Sequence, residues 1–176
     1  MRGRCRMAPH ASRFAAAARV LILTIAGGLV IALVLATSIV DGRVGWSLPA
    51  GCKLSGLAAT LLGLGAIGWA EVTLLRIAHS TGGFGDPPPG LVVEGPYRFT
   101  RNPIYLGAAF LLFGLSLWRG SPTLLVAALA FLPVMHVFIV RVEEPATRRR
   151  LGAAYDEYRR RVPRWLTRLR AFKDPS

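Results

Sequence analysis

Four long apolar runs, separated by polar, glycine-rich or proline-rich stretches, set the pattern of this chain. The first, residues 20–40, is apolar over 21 positions, enough for a helix to cross a hydrocarbon core of about 30 Å. Arg2, Arg4, Arg6, Arg13 and Arg19 precede it. A secretory signal has the same charge order, but its apolar core is about 7–15 residues. The run therefore reads as a span. A cleaved signal, with small residues around positions 32–36, is the alternative. The second run covers residues 54–78, the third 103–118 and the fourth 123–140. Residues 41–53 form a short polar connection with Gly42, Gly45 and Pro49, and Arg119-Gly-Ser-Pro122 forms a tight turn. The pattern predicts an all-α, polytopic membrane protein: about four transmembrane helices, then a C-terminal amphipathic helix at the interface. The chain is short enough for one membrane domain over residues 1–176.

Composition agrees. The chain is 53% hydrophobic and only 18% charged, and the charges cluster at its ends and in one central loop. A formal charge of +13 raises the question of nucleic acid. The basic residues flank the apolar runs instead of forming a patch with interleaved aromatics, so that partner is excluded. With four spans, 19 of the 22 basic residues fall on one side of the membrane, leaving only Arg43, Lys53 and Arg119 on the other. The positive-inside rule then puts both termini and the loop over residues 79–102 in the cytoplasm. Cys5 and Cys52 flank the first run, so a disulfide between them would have to cross the bilayer and none is expected. No His/Cys cluster has metal-ligand spacing, so no metal is expected either.

Gly63-Leu-Gly65-Ala-Ile-Gly68 matches G-x-G-x-x-G literally. The dinucleotide fingerprint needs a strand before it and a soluble helix after it. Inside an apolar run these glycines instead predict close helix packing. In the 79–102 loop, Gly82-Gly-Phe-Gly85 predicts flexibility and Pro87-Pro-Pro89 stiffness. The loop ends in Gly95-Pro-Tyr-Arg-Phe-Thr-Arg-Asn-Pro-Ile-Tyr-Leu-Gly107. Gly95-Pro96 reads as a turn. Asn102-Pro103 reads as a helix start, with Asn as N-cap and Pro at the first helical position. Free N–H groups at that start suit an anionic ligand group. The third and fourth runs, as an antiparallel hairpin, return Glu143 to the membrane face where Asn102 and Tyr105 lie. Beyond it, Leu151, Tyr155, Tyr158 and Val162 fall at helical spacing until Pro163, with Arg148–Arg150 and Arg159–Arg161 around them. That predicts an amphipathic helix on the membrane surface, its arginines toward anionic headgroups.

Two of these stretches carry a resemblance. Gly-x-Tyr-x-x-x-Arg-Asn-Pro-x-Tyr-x-Gly, ending at Gly107, resembles a signature of the isoprenylcysteine carboxyl methyltransferase family and its bacterial relatives. Glu143-Glu144, followed by Gly152-x-x-Tyr155-x-x-Tyr158-x-x-x-Val162-Pro163, is similar to the family's second signature. Together they cover about residues 87–165. The resemblance implies a membrane-embedded enzyme of the bacterial inner membrane that uses S-adenosyl-L-methionine. It implies cofactor contacts from Leu91, Val92, Tyr97, Asn102, Pro103, Tyr105 and Glu143, with Glu143 toward the methionine portion. In chemical terms a carboxylate can hold the ammonium group, tyrosine faces attract a sulfonium cation, and Leu91 and Val92 offer an apolar slot. The chain has Asn102 where the founding enzymes have His, which puts the acceptor in doubt.

Each residue also has a plainer reading. Tyr97 and Tyr105 are also what an interfacial aromatic belt contains. Glu143 and Glu144 could pair with Arg148–Arg150. Arg101, Arg141 and Glu144 are the candidates on the acceptor side, with headgroup contact the alternative for the two arginines. Glu71, inside the second run, predicts either a site role or an ion pair, and His136, seven residues before Glu143, either a site role or an interhelical hydrogen bond. The acceptor is a lipid or a lipophilic small molecule. Asn102 cannot act as a base near neutral pH, which favours an acceptor already ionised as a carboxylate and held by Arg101 or Arg141. Phospholipid methyltransferases look similar in this region, so a phospholipid amine is the alternative. A non-catalytic membrane subunit is the third reading.

Overall fold

The computed structural model describes residues 9–80 and 90–165, and no strand occurs among them. The glycine–proline stretch before residue 90, Cys5, the first three arginines and the tail beyond Trp165 lie outside the described residues. Six α-helices follow in order: α1 Pro9–Val44, α2 Lys53–Ser80, α3 Pro103–Arg119, α4 Pro122–Phe138, α5 Glu144–Leu151 and α6 Ala153–Arg161. Three helical stretches are long and apolar enough to cross a membrane: Gly27–Val44, Ala50–Ile77 and Pro122–Leu151. The fourth expected span, α3, is a shorter apolar helix of 17 residues.

Burial is inverted relative to a water-soluble bundle. Leu29, Ile31, Leu62, Val126 and Leu129 are all more than 60% exposed, whereas Thr60, Thr73, Ser116 and Ser121 are buried. Apolar side chains that face outward suit lipid. Two of these hydroxyls are satisfied by their own helix: Thr60 Oγ1 donates to the Gly56 carbonyl and Thr73 Oγ1 to that of Trp69, both at 2.8 Å.

The α2–α3 pair is the tightest contact. A Cβ built on Gly63 would stand 2.5 Å from the Leu111 nitrogen and 2.6 Å from the Gly107 carbonyl oxygen. Gly56, Gly107 and Gly114 are equally close to the facing backbone. Of the G-x-G-x-x-G match, only Gly63 lies in this seam, because Gly65 and Gly68 have nothing within 4 Å of an added Cβ. Leu112, Leu124 and Ala128 form the buried core between α3 and α4, and Val30, Leu33 and Val34 of α1 cover it.

Helix ends differ from the sequence expectation in two places. α1 runs on to Val44, so Asp41 belongs to its last turn and not to a loop. There Asp41 accepts from Thr123 Oγ1 at 2.6 Å and from Ser121 Oγ, tying α1 to the start of α4. The turn before α4 is the expected one, with Gly120 at φ 69° and the Ser121 hydroxyl capping Leu124 N–H.

The fourth span also does not stop at Val140. A π turn, Ile139–Glu143, joins α4 to α5 without a break. Pro145 accounts for it. Proline has no N–H to give to the carbonyl four residues back, that of Arg141, and its ring crowds that carbonyl. The helix widens, and Glu144 N–H bonds instead to the Ile139 carbonyl. Ile139 and Glu144, five residues apart, are therefore both buried on one side.

Candidate active site

Four pieces enclose a cavity of about 710 Å³: the segment from Gly90 to Asn102, the first turn of α3, the π turn with α5, and α6. α2 adds Glu71. The segment is held from behind by the chain's own tail. Tyr155, Tyr158 and Val162 are buried against Leu91, Val93 and Leu151. Tyr158 Oη donates to the Tyr97 carbonyl at 2.6 Å, Arg101 N–H to the Pro163 carbonyl at 3.0 Å, and Thr100 Oγ1 to the Arg164 carbonyl at 2.7 Å. The apolar stripe is thus amphipathic as expected, but it packs on the 91–101 segment and not on lipid. Gly152, at φ 56°, breaks it into two helices, which lets α6 fold back. Burial pushes the phenols of Tyr155 and Tyr158 above their ordinary range, and the nearby Glu144 charge adds to the effect at Tyr155.

Glu143 and Glu144 point to different tasks. Tyr105 Oη donates to Glu143 Oε1 at 2.7 Å across the α3–α4 hairpin, the meeting that the topology predicts. Glu144 is buried, with Arg101 Nη1 at 2.6 Å and Arg164 Nη2 at 2.8 Å from its Oε1. The alternative pairing of these acids with Arg148–Arg150 is not found among the described residues. Arg148 bonds to Asp156 at 3.1 Å instead.

Asn102 occupies the N-cap position of α3, and Pro103 follows at the first helical position, as predicted. The Asn102 side chain makes no capping bond. The residue is part of the cavity wall, and its Nδ2 is buried and has no hydrogen-bond partner among the described residues. A buried amide donor without a partner costs about 1–3 kcal/mol.

Leu91, Val92, Tyr97, Arg101, Asn102, Pro103, Tyr105, Glu143 and Glu144 all line this cavity. Arg141 does not. It is exposed on the π turn, which carries it away from the cavity side. His136 does not reach the cavity either. The inserted residue shifts it out of phase with Glu143, and its Nδ1 accepts from Trp165 Nε1 at 3.0 Å. Reading the sequence missed Arg164, Tyr155 and Tyr158 as parts of this assembly. The Tyr155–Tyr158–Val162 stripe was the available signal, but a buried stripe and a lipid-facing one look alike in sequence.

The model of the family described as phospholipid methyltransferase matches residues 52–154. The chain belongs to that phospholipid methyltransferase family. It is the same group of membrane methyltransferases to which the two motifs point. The match runs from the start of α2 to the start of α6, and so takes in the α2–α3 seam, the π turn and most of the cavity wall. The chain is also 31% identical over 121 residues to the nickel-cobalt-cadmium resistance protein NccN of Alcaligenes xylosoxydans xylosoxydans. That alignment covers 68% of this chain but only 56% of NccN. No solved structure matches.

Proposed function

We propose that this protein moves a methyl group from S-adenosylmethionine to a lipophilic amine, with phospholipid amines as the leading class, at the cytoplasmic face of a bacterial inner membrane. The observation that carries the reading is the cavity itself. It gathers an apolar wall (Leu91, Val92), two tyrosines, a carboxylate fixed by one of them, and a buried amide donor in search of an acceptor. Its volume lies within the range of small-molecule sites. S-adenosylmethionine, when bound, supplies a methyl carbon on a positively charged sulfur, open to in-line attack.

The residues then have distinct tasks. Tyr105 orients Glu143 by its hydrogen bond, and Glu143 takes the ammonium of the amino acid portion. Asn102 Nδ2 donates to a ligand oxygen or ring nitrogen. Leu91 and Val92 flank the adenine, and Tyr97 presents an aromatic face to the cation. The pocket walls exclude water and hold the two reactants in line.

A carboxylate acceptor, which Asn102 in place of His favours on sequence grounds, loses its support here. Arg101 is already paired with buried Glu144, and Arg141 lies outside the cavity. Arg150 lines the cavity but is exposed. Glu71 and Glu143 line it too, and they suit an ammonium better than an anion. An amine must shed a proton before its nitrogen can attack. Glu71, a carboxylate in the cavity wall and outside the contacts assigned to the cofactor, is the residue to take that proton.

The test uses labelled S-adenosylmethionine and bacterial membrane extract. Label that survives mild base in a phospholipid headgroup is expected. Label released as methanol would mean a carboxyl ester and would sink the amine assignment. Orientation is checked separately, with cytoplasm-dependent reporters fused after residue 80 (expected active) and after residue 48 (expected silent).

A further inference from the structure

We infer that the outer face of α5 carries a second, separate site, for the phosphate of an anionic phospholipid. α5 works as a partition. Ala146, Thr147, Arg150 and Leu151 face the methyl-transfer cavity. Pro145, Arg148 and Arg149 face the other way, and with Val140 of the π turn and Arg159 of α6 they enclose a hollow of about 480 Å³.

The charges in that hollow do not cancel. Its one lining acid, Glu144, is already held by Arg101 at 2.6 Å and Arg164 at 2.8 Å, while Arg159 stands off at 4.0 Å. Arg148 shares its charge with Asp156 at 3.1 Å and is otherwise 61% exposed. Arg149 is exposed and makes no hydrogen bond or ion pair among the described residues. Three arginines therefore line a hollow whose nearby acids, Glu144 and Asp156, are already engaged. Their planar forks match the oxygens of a phosphate.

The surroundings choose the lipid over a soluble phosphate. The floor of the hollow is Val140 and Pro145. Below it, exposed Val134, Val137 and Phe138 continue the apolar surface down α4, a helix apolar enough to cross a membrane. A ligand with acyl chains along α4 and a phosphate above them matches both surfaces, as basic pockets at the end of spans do for anionic headgroups. The inference does not rest on the methyl-transfer reading.

The test is native mass spectrometry of the full chain in neutral detergent, with phosphatidylglycerol, diacylglycerol or inorganic phosphate added. Phosphatidylglycerol should be retained at least about tenfold more tightly than either of the others. Arg149→Gln, at an exposed residue without contacts to lose, and Arg159→Gln should each weaken retention several-fold. Arg43→Gln, at an exposed arginine outside the hollow, should leave it unchanged. Unchanged thermal midpoints would show that the variants are folded. Equal retention of phosphatidylglycerol and diacylglycerol would overturn the site, as would equal losses in Arg43→Gln and Arg149→Gln. Inorganic phosphate binding as tightly as the lipid would overturn the lipid assignment.

Discussion

Two adjacent, isosteric substitutions should have opposite consequences. Glu144→Gln removes a charge that faces Arg101 and Arg164, whose side chains are only 10% and 19% exposed. Arg101 Nε already lacks a partner, so the substitution strands a buried cation. Breaking a buried pair from one side costs about 3–5 kcal/mol. Arg164 can partly rehydrate, which sets the expectation at the lower end, about 3 kcal/mol, or somewhat more than a hundredfold in the unfolding equilibrium. Glu143→Gln keeps an amide oxygen to accept from Tyr105 and loses only the charge on that bond, at a half-buried position, so it should cost about 1 kcal/mol or less. Its larger effect should fall on ligand binding, at least about tenfold in S-adenosylhomocysteine affinity. Unfolding in mixed micelles of neutral detergent and dodecyl sulfate, followed by tryptophan fluorescence, gives the stabilities, and titration calorimetry gives the affinities. If both variants lie within about 0.5 kcal/mol of each other, or if Glu144→Gln is the milder, the division of labour between these acids is wrong.

Other outcomes follow from the packing. Gly63→Val should cost about 1–3 kcal/mol or more by forcing α2 from α3, whereas Gly68→Ala, in open space, should leave the thermal midpoint unchanged or raise it. Ser121→Ala removes both the cap of α4 and a donor to Asp41, and should cost about 1–2 kcal/mol in the same unfolding assay. The raised Tyr155 and Tyr158 phenols give a pH dependence. A pKa raised on folding means stability that is full below the unfolded value of about 10 and is lost as pH climbs beyond it. Tail docking should hold from neutral pH to about 10 and weaken above, as followed by protease sensitivity near Gly152, and a Tyr155→Phe/Tyr158→Phe variant should lose that alkaline step. Tyr158→Phe alone should cost about 1 kcal/mol for the lost bond to Tyr97.

The helices were legible because apolar length is a direct consequence of bilayer thickness, and the runs near residues 20, 54, 103 and 123 each became one. Their ends were not. Arginines do not end a helix, so the helical path continues from α4 past Arg141 into α5, and Pro145 widens it into a π turn where a stop was expected. The hairpin that brings Tyr105 to Glu143 followed from topology alone. The partners of Glu144 did not, since Arg101 and Arg164 lie 43 and 20 positions away and periodicity carries no information at that range. Asn102 was readable as a helix start, yet its side chain makes no capping bond, and Pro103 and the Asn102 carbonyl begin the helix without it.

The shortness of α3 has a mechanical consequence for the membrane itself. Seventeen residues reach about 25 Å, some 5 Å less than an average hydrocarbon core. α3 lies along α2 and reaches through less of the same slab, and arginines stand at both of its ends, Arg101 and Arg119. Hydrophobic mismatch of this kind is met by thinning the adjacent leaflet. On the proposed function, headgroups are then drawn toward the end of α3 that borders the cavity, so an acceptor lipid meets the site without being lifted from the bilayer. Thicker membranes should resist that dimple, and turnover in reconstituted bilayers should fall as acyl chains lengthen.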